Sequence, residues 1–347
     1  MTLPDASRPQ PALKIDVYAT LRDLPPLVFP HELMDSRDLS DPALRTQLRG
    51  LGHYIMTHGA GGPMQAQRYH LWRHVQRVWH NVRLEVDVQD MAALSAWALA
   101  ANAVLVMPDI TICTPDLTII MAPDGTINEA AQLPYPPDAI ARRQRSLDAL
   151  AGLALAALPI MPPVLGEGEV VFRDVAEMEH RLLGLFRVGA EGVALCGTPD
   201  NILSETCRTL PIDASILTPQ EKAFIDAPTP VMAEQMSWRV EAASTLAWAL
   251  SPSSVSLGPA EGALDVDNLV HVRKAIGAGE RLALRPAGEI LDLLDMTWRQ
   301  HWITRQAGGA ACGFSPDIMM ERHAALNWLT GFDNMPDTAW DEIATPT

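Results

Sequence analysis

The residues best suited to chemistry gather beyond position 237, where acids, bases and cations recur within apolar, helix-forming segments. Arg239 and Glu241 follow Trp238, and Asp295, Arg299 and His301 surround Trp298 and Trp302. Glu321, Arg322 and His323 precede Asn327 and Trp328, and Asp341 follows Trp340. Six of the nine tryptophans lie in this stretch. A general base from Glu241 or Glu321, an acid from His301 or His323 and an anion anchor from Arg299 would suit a hydrolase or transferase acting on a phosphate or carboxylate, with Asp295 as a further carboxylate. The same region could instead bind a ligand or partner. Arg239, Arg299 and Arg322 are planar cations, Trp298, Trp302 and Trp328 offer indole faces, and Asp341 offers an anion. A third role is structural, with arginine–carboxylate–tryptophan contacts fixing how three helices pack.

Helical phasing discriminates among these. If a helix begins at Pro316, Glu321, Ala325 and Trp328 share one stripe, whereas His323 lies about 200° around the axis. Glu321 and His323 therefore do not point into one pocket, and Glu321, half-buried beside Trp328, needs a cation. The helix expected over residues 287–307 can supply it. Its apolar face carries Leu291, Leu294, Trp298 and Trp302, with Asp292, Asp295 and Arg299 along one flank. Asp295 and Arg299 form an i, i+4 pair, worth a few tenths of a kcal/mol (~0.3–0.5) if exposed.

Elsewhere the signals are thinner. His70 and His74 are spaced to share a helical face as zinc-binding histidines do, yet no HExxH pattern is present and Arg73 and Arg77 would repel a cation, so no metal is expected. The Gly59-Ala60-Gly61-Gly62 loop lacks the Lys-Ser/Thr of a phosphate-binding loop and reads as a flexible connection. No G-x-S-x-G elbow occurs, and Cys312 has no base nearby in sequence. No cofactor is expected.

The elements that must carry these residues divide the chain. Over residues 12–128, strand patterns at Lys14 to Leu21, Val82 to Val86 and Thr118 to Met121 alternate with helices at Pro42 to His58, 64–77 and Gln89 to Ala101, with a short apolar run at Ala103 to Met107. This predicts a small α+β domain. Residues 129–137, rich in proline, read as a linker, and residues 1–11 as a disordered tail rather than a signal peptide. Beyond them the pattern is helical: 138–157, 172–187, 199–208, 219–226, 230–250, 268–277, 287–307 and 316–330. Four starts share a hydroxyl-Pro signal, Thr198-Pro199, Thr218-Pro219, Thr229-Pro230 and Ser315-Pro316, in which the hydroxyl caps the first turn and proline occupies a position whose N–H has no helical partner. Glu221 completes a capping box with Thr218, and Gly331 stands where a left-handed cap belongs. The fold expected is a small α/β N-terminal domain followed by a larger, mostly α-helical C-terminal domain, with no internal repeat of fixed period.

Charge narrows the partners. The net charge is −16, and it is uneven: the first 128 residues carry 10 basic against 13 acidic side chains, the rest 16 against 29. Such a surface repels phosphate backbones, which excludes nucleic acid. The apolar run from Ala149 to Leu165 is broken by three prolines and too short to span a bilayer, so no membrane is expected. The four scattered cysteines, Cys113, Cys196, Cys207 and Cys312, read as reduced thiols of a cytoplasmic protein.

The segments WRVEA…LAWAL, LRPAGEILDLLDMTWRQHWITRQA, ERHAALNWL and the terminal WDEIATPT, in that order and spacing, resemble the domain-of-unknown-function family 4272 over roughly residues 139–347. Residues 12–128 resemble the α/β region that often precedes this domain in bacterial members. Ala324 stands where an aromatic is common, and Ile343-Ala344 replaces a usual Val-Asp; neither change removes a candidate charged residue. The resemblance implies a helical fold and supplies no reaction. With no complete catalytic constellation present, the expectation is a non-catalytic binding or interaction protein whose partner is a protein or a small molecule. A hydrolase-like enzyme and an immunity-type protein neutralising a basic partner are the alternatives.

Overall fold

A computed structural model describes residues 12–198, 201–258, 266–307, 312–332 and 338–347. The expected tail over residues 1–11 and the Pro199 start lie outside them. The chain forms two compact units, one through Asp138 and one from Ala139.

The first unit is built on an antiparallel sheet. Its strands are β1 (Ala12–Ala19), β2 (Glu32–Asp38), β3 (His80–Asp87), β4 (Ala103–Val106), β5 (Ile112–Cys113) and β6 (Ile119–Met121), in the order β2-β3-β1-β4-β5-β6. Strand alternation sends Ile15, Val17, Val82, Leu84 and Val86 into one core with Leu94 and Trp97 of α3 (Met91–Ala100). Tyr18, Val104 and Ile112 enter another, with Ile55 of α1 (Pro42–Thr57) and Leu71 and Val75 of α2 (Ala66–Gln76). Opposite residues of β1 and β3 pair their charges, Asp16 with Arg83 at 3.0 Å and Lys14 with Glu85 at 3.8 Å. Strand β2 escapes the sequence pattern because it is a polar edge strand, bulged between Leu33 and Asp35, with no apolar alternation to reveal it. The stretch expected as a linker is packed within this unit, for Ala131 and Leu133 are buried and the Tyr135 hydroxyl lies 2.9 Å from His70 Nδ1.

Three turns after β4, β5 and β6 repeat a Pro-Asp-x-Thr sequence, 7 and then 8 residues apart, without a fixed period. In each, the backbone N–H of the residue before proline donates to the threonine carbonyl, at 2.8, 2.9 and 2.9 Å, and the aspartate accepts from the threonine N–H. Asp109, Asp116 and Asp124 are held below the usual carboxylate range, Asp109 and Asp124 mainly by the threonine N–H and Asp116 mainly by the Thr114 hydroxyl. The x position is left-handed every time: Ile110 at φ 71°, Leu117 at φ 66° and Gly125 at φ 85°. Only the third is glycine, because a Cβ there would lie 2.5 Å from the His58 carbonyl oxygen. The start of the Gly59–Gly62 loop is therefore fixed rather than flexible. Gly59 packs on Gly125, and buried Arg68 donates to the carbonyls of His58 and Gly125 at 2.8 and 2.7 Å.

The second unit is helical. It contains α4 (Pro137–Gly152) from Ala139 onward, α5 (Val175–Leu195), α6 (Ile202–Thr209), α7 (Pro219–Asp226), α8 (Pro230–Ser237), α9 (Arg239–Ala249), α10 (Val266–Gly277), α11 (Ala287–Ala307) and α12 (Pro316–Thr330). Thr218 and Glu221 form the expected capping box, Thr229 and Ser315 cap α8 and α12, and Gly331 ends α12 at φ 68°. Helix α6 instead starts under Asn201, whose side chain accepts from Ser204 N. The single helix expected over residues 230–250 is two, separated at Trp238, where the Glu241 N–H turns back to the Trp238 carbonyl at 2.9 Å. Helix α5 runs beyond its expected end at 187, and a Cβ on its Gly192 would meet Ser237 N at 2.5 Å, so α8 presses directly on its backbone. Among the described residues no helix is long and apolar enough to cross a membrane.

Candidate functional site

Helices α9, α11 and α12 bring the candidate residues together in the core of the second unit. Helix α12 is buried on nearly every side, since α9 and α11 both pack on it; Glu321, Arg322, His323, Asn327 and Trp328 are all inside. A helix enclosed in this way cannot leave its charges in water, so each needs a partner.

The partners are reciprocal across α9 and α12. Arg239 donates to both oxygens of Glu321, at 3.0 and 3.1 Å, while Arg322 donates to Glu241 Oε2 at 3.2 and 3.3 Å. Glu321 does have a cation, as its position demanded, but α9 supplies it rather than the helix over 287–307. On α11 Arg299 is already occupied: Nε and Nη2 hold Asp295 at 2.8 and 2.7 Å, and Nη2 reaches the Pro162 carbonyl at 3.1 Å. That i, i+4 pair is fully buried, 0% exposed at both ends, not the surface pair its spacing also allowed. Asp292, on the flank of α11, takes Arg142 and Arg145 of α4 instead.

Burial raises the carboxyl pKa of Glu241 and of Glu321, and the paired guanidiniums draw each back. Glu241 and Asp317 push Glu321 further upward. Arg322 shifts the opposite way for the same reason, its cation losing water on burial. Both shifts of the Glu241–Arg322 pair thus report desolvation outweighing the attraction between partners.

The histidines form a separate pair. His301 Nδ1 and His323 Nδ1 are 2.9 Å apart, the rings edge to face. One proton lies between those nitrogens, so one ring donates and the other accepts. Burial, assisted by the charge of Arg305, pushes His301 down to about 4, leaving it neutral at pH 7. Glu241, Asp295 and Glu321 each face a guanidinium, then, and His301 faces His323.

The C-terminal segment covers this network. Trp340 packs edge to face on Trp328, with ring centroids 5.9 Å apart, beneath Arg181 at 5.3 Å and Arg239 at 5.7 Å. Trp298 Nε1 donates to the Pro346 carbonyl at 3.1 Å and Asn327 Nδ2 to the Ala344 carbonyl at 2.8 Å. Asp341 accepts from Gln220 N at 3.3 Å, at the start of α7. Trp302 is half-buried at the edge of the core. Arg181 was not among the sequence candidates, although it binds buried Glu221 and faces Trp340. Its signal is present in the chain: it sits between Met178, Leu182 and Leu185, where an apolar residue would be expected.

In the first unit His70 and His74 take different partners, His70 meeting Tyr135 and His74 Nε2 the Tyr18 carbonyl at 3.1 Å. Burial pushes His74 down to about 4. Among the described residues no group of three His, Cys, Asp or Glu side chains could hold a metal ion. A half-open hollow of about 200 Å³ lies away from the network, between α5 and α6, lined by Arg187, Glu191, Ser204, Cys207 and Arg208.

No curated protein and no solved structure matches the chain. A family model, the domain of unknown function DUF4272, matches residues 142–343, a span that contains every member of this helical network. The chain belongs to the DUF4272 family.

Proposed function

We propose that the protein acts by binding a partner and not by catalysis, and that the motif-rich helices serve as its scaffold. The observation that carries this reading is the occupancy of the candidate acids and bases. Glu241, Glu321 and Asp295 are each engaged by an arginine inside the helix packing, and His301 by His323. A general base needs a lone pair free to reach a substrate proton. The acids that remain exposed, among them Asp148, Glu205, Asp226 and Glu234, lie outside the network. They give the helical unit a surface suited to a basic partner, consistent with the excess of acids after residue 128.

Co-elution with a panel of basic proteins at low ionic strength tests this. The expected result is a stoichiometric complex that loosens as salt rises and is lost when Asp226 and Glu234 become lysine. No complex with any member would reject the acidic-surface reading. An enzymatic activity abolished by Glu321→Gln at unchanged melting temperature would restore the catalytic one.

A further inference from the structure

The α5–α6 hollow collects cations in a unit that is otherwise acidic. Arg187 lies half-buried on α5, one turn before Glu191, in the less favourable order for an ion pair. Among the described residues Arg187 makes no hydrogen bond or ion pair. Elsewhere in the unit Arg142, Arg173, Arg181, Arg239, Arg285 and Arg299 all hold carboxylates. Arg208 enters the hollow from α6, where Cys207 and Ser204 complete the wall. Buried Arg273 of α10 gives Nη2 to the Leu210 carbonyl at 2.7 Å, while its Nε has no hydrogen-bond partner among the described residues. Burial raises the Cys207 thiol pKa, the charges of Arg187 and Arg273 draw it back, and Glu191 pushes it up again. The guanidiniums of Arg187 and Arg208 thus enter the hollow together with the carboxylate of Glu191.

We propose that this hollow is a binding site for a small oxyanion, a carboxylate or phosphate group on a compact ligand, held by Arg187 with Arg208 and the Ser204 hydroxyl. Guanidinium geometry suits both groups, since its parallel N–H bonds match paired oxygens. The volume of about 200 Å³ falls below the range of roughly 300–1,000 Å³ typical of sites for drug-sized ligands, so the ligand is small.

Calorimetric titration of the full-length chain with inorganic phosphate, and separately with malonate, at constant ionic strength distinguishes the two oxyanion classes. Saturable binding of at least one anion is expected, weakened about tenfold or more in Arg187→Gln. The control Arg145→Gln, on α4, leaves it unchanged. Alkylation of Cys207, followed by peptide mass spectrometry, slows as the anion saturates. Absence of saturable binding for both anions overturns the proposal, as does equal affinity in Arg187→Gln and the unaltered protein.

Discussion

Removing the Asp295 carboxylate should destabilise the helical unit far more than removing both members of its pair. Arg299 has no exposure to water, and its charge is met by two bonds to Asp295 and one, at 3.1 Å, to the Pro162 carbonyl. Asp295→Ala leaves a buried guanidinium with the carbonyl alone, a loss of about 3–5 kcal/mol. Asp295→Asn costs somewhat less, because one amide oxygen still accepts from Nε while the amide nitrogen opposes a second donor. The double change Asp295→Leu with Arg299→Met removes both charges and keeps much of the volume. It should fall within about 1–2 kcal/mol of the unaltered protein, the residual cost being the Pro162 carbonyl left without its donor. Urea unfolding followed by tryptophan fluorescence measures all three, since most of the tryptophans lie in this unit. A single change costing under about 1 kcal/mol, or a double change as costly as Asp295→Ala, would show that the buried Arg299 charge does not depend on Asp295.

Acid should weaken the same unit through His301. Its folded-state value of about 4 lies below the ordinary 6.5, so the stability it contributes is complete above 6.5 and is lost as pH falls from there through about 4. The loss is at most about 3 kcal/mol, and His301→Phe should flatten this part of the stability–pH curve; an unchanged curve would show that His301 is not the titrating group. The repeated turns predict opposite signs for losing and gaining a glycine at the left-handed position. Gly125→Ala should destabilise the first unit by about 2 kcal/mol, and Ile110→Gly should stabilise it by up to about 1 kcal/mol by releasing a left-handed β-branched residue, both read by thermal melting. Trp340→Ala should cost about 3–5 kcal/mol, because the ring is buried between Trp328 and two arginines; a melting temperature shifted by less than 2 °C or so would contradict that.

Much of this arrangement is legible in the sequence because it depends on local signals. Hydroxyl-Pro starts place α7, α8 and α12 to within a residue, and Gly331 ends α12 as its position implies. Helical phasing separates Glu321 from His323, and the structure gives them different partners. Which helix supplies the partner is not a local property. The sequence points to the helix over 287–307 as the source of Glu321's cation, but Asp295 holds Arg299 from within α11 and Arg239 of α9 takes Glu321. Burial is likewise invisible at an i, i+4 spacing: the same pair could lie on a surface, and its seclusion depends on the surrounding helices. Strand β2 and the α5–α6 hollow went unseen for related reasons, one being a polar edge and the other a meeting of helices whose approach the sequence does not specify.

If the crossed pairs between α9 and α12 act as an internal lock, Arg239 and Glu321 are energetically coupled, and a double-mutant cycle on Arg239→Gln and Glu321→Gln measures this directly. A coupling energy of about 1–3 kcal/mol is expected, each single change being costly and the double change less than additive. Coupling below about 0.3 kcal/mol, with both single variants as stable as the unaltered protein, would contradict it and return Glu321 to the candidates for chemistry.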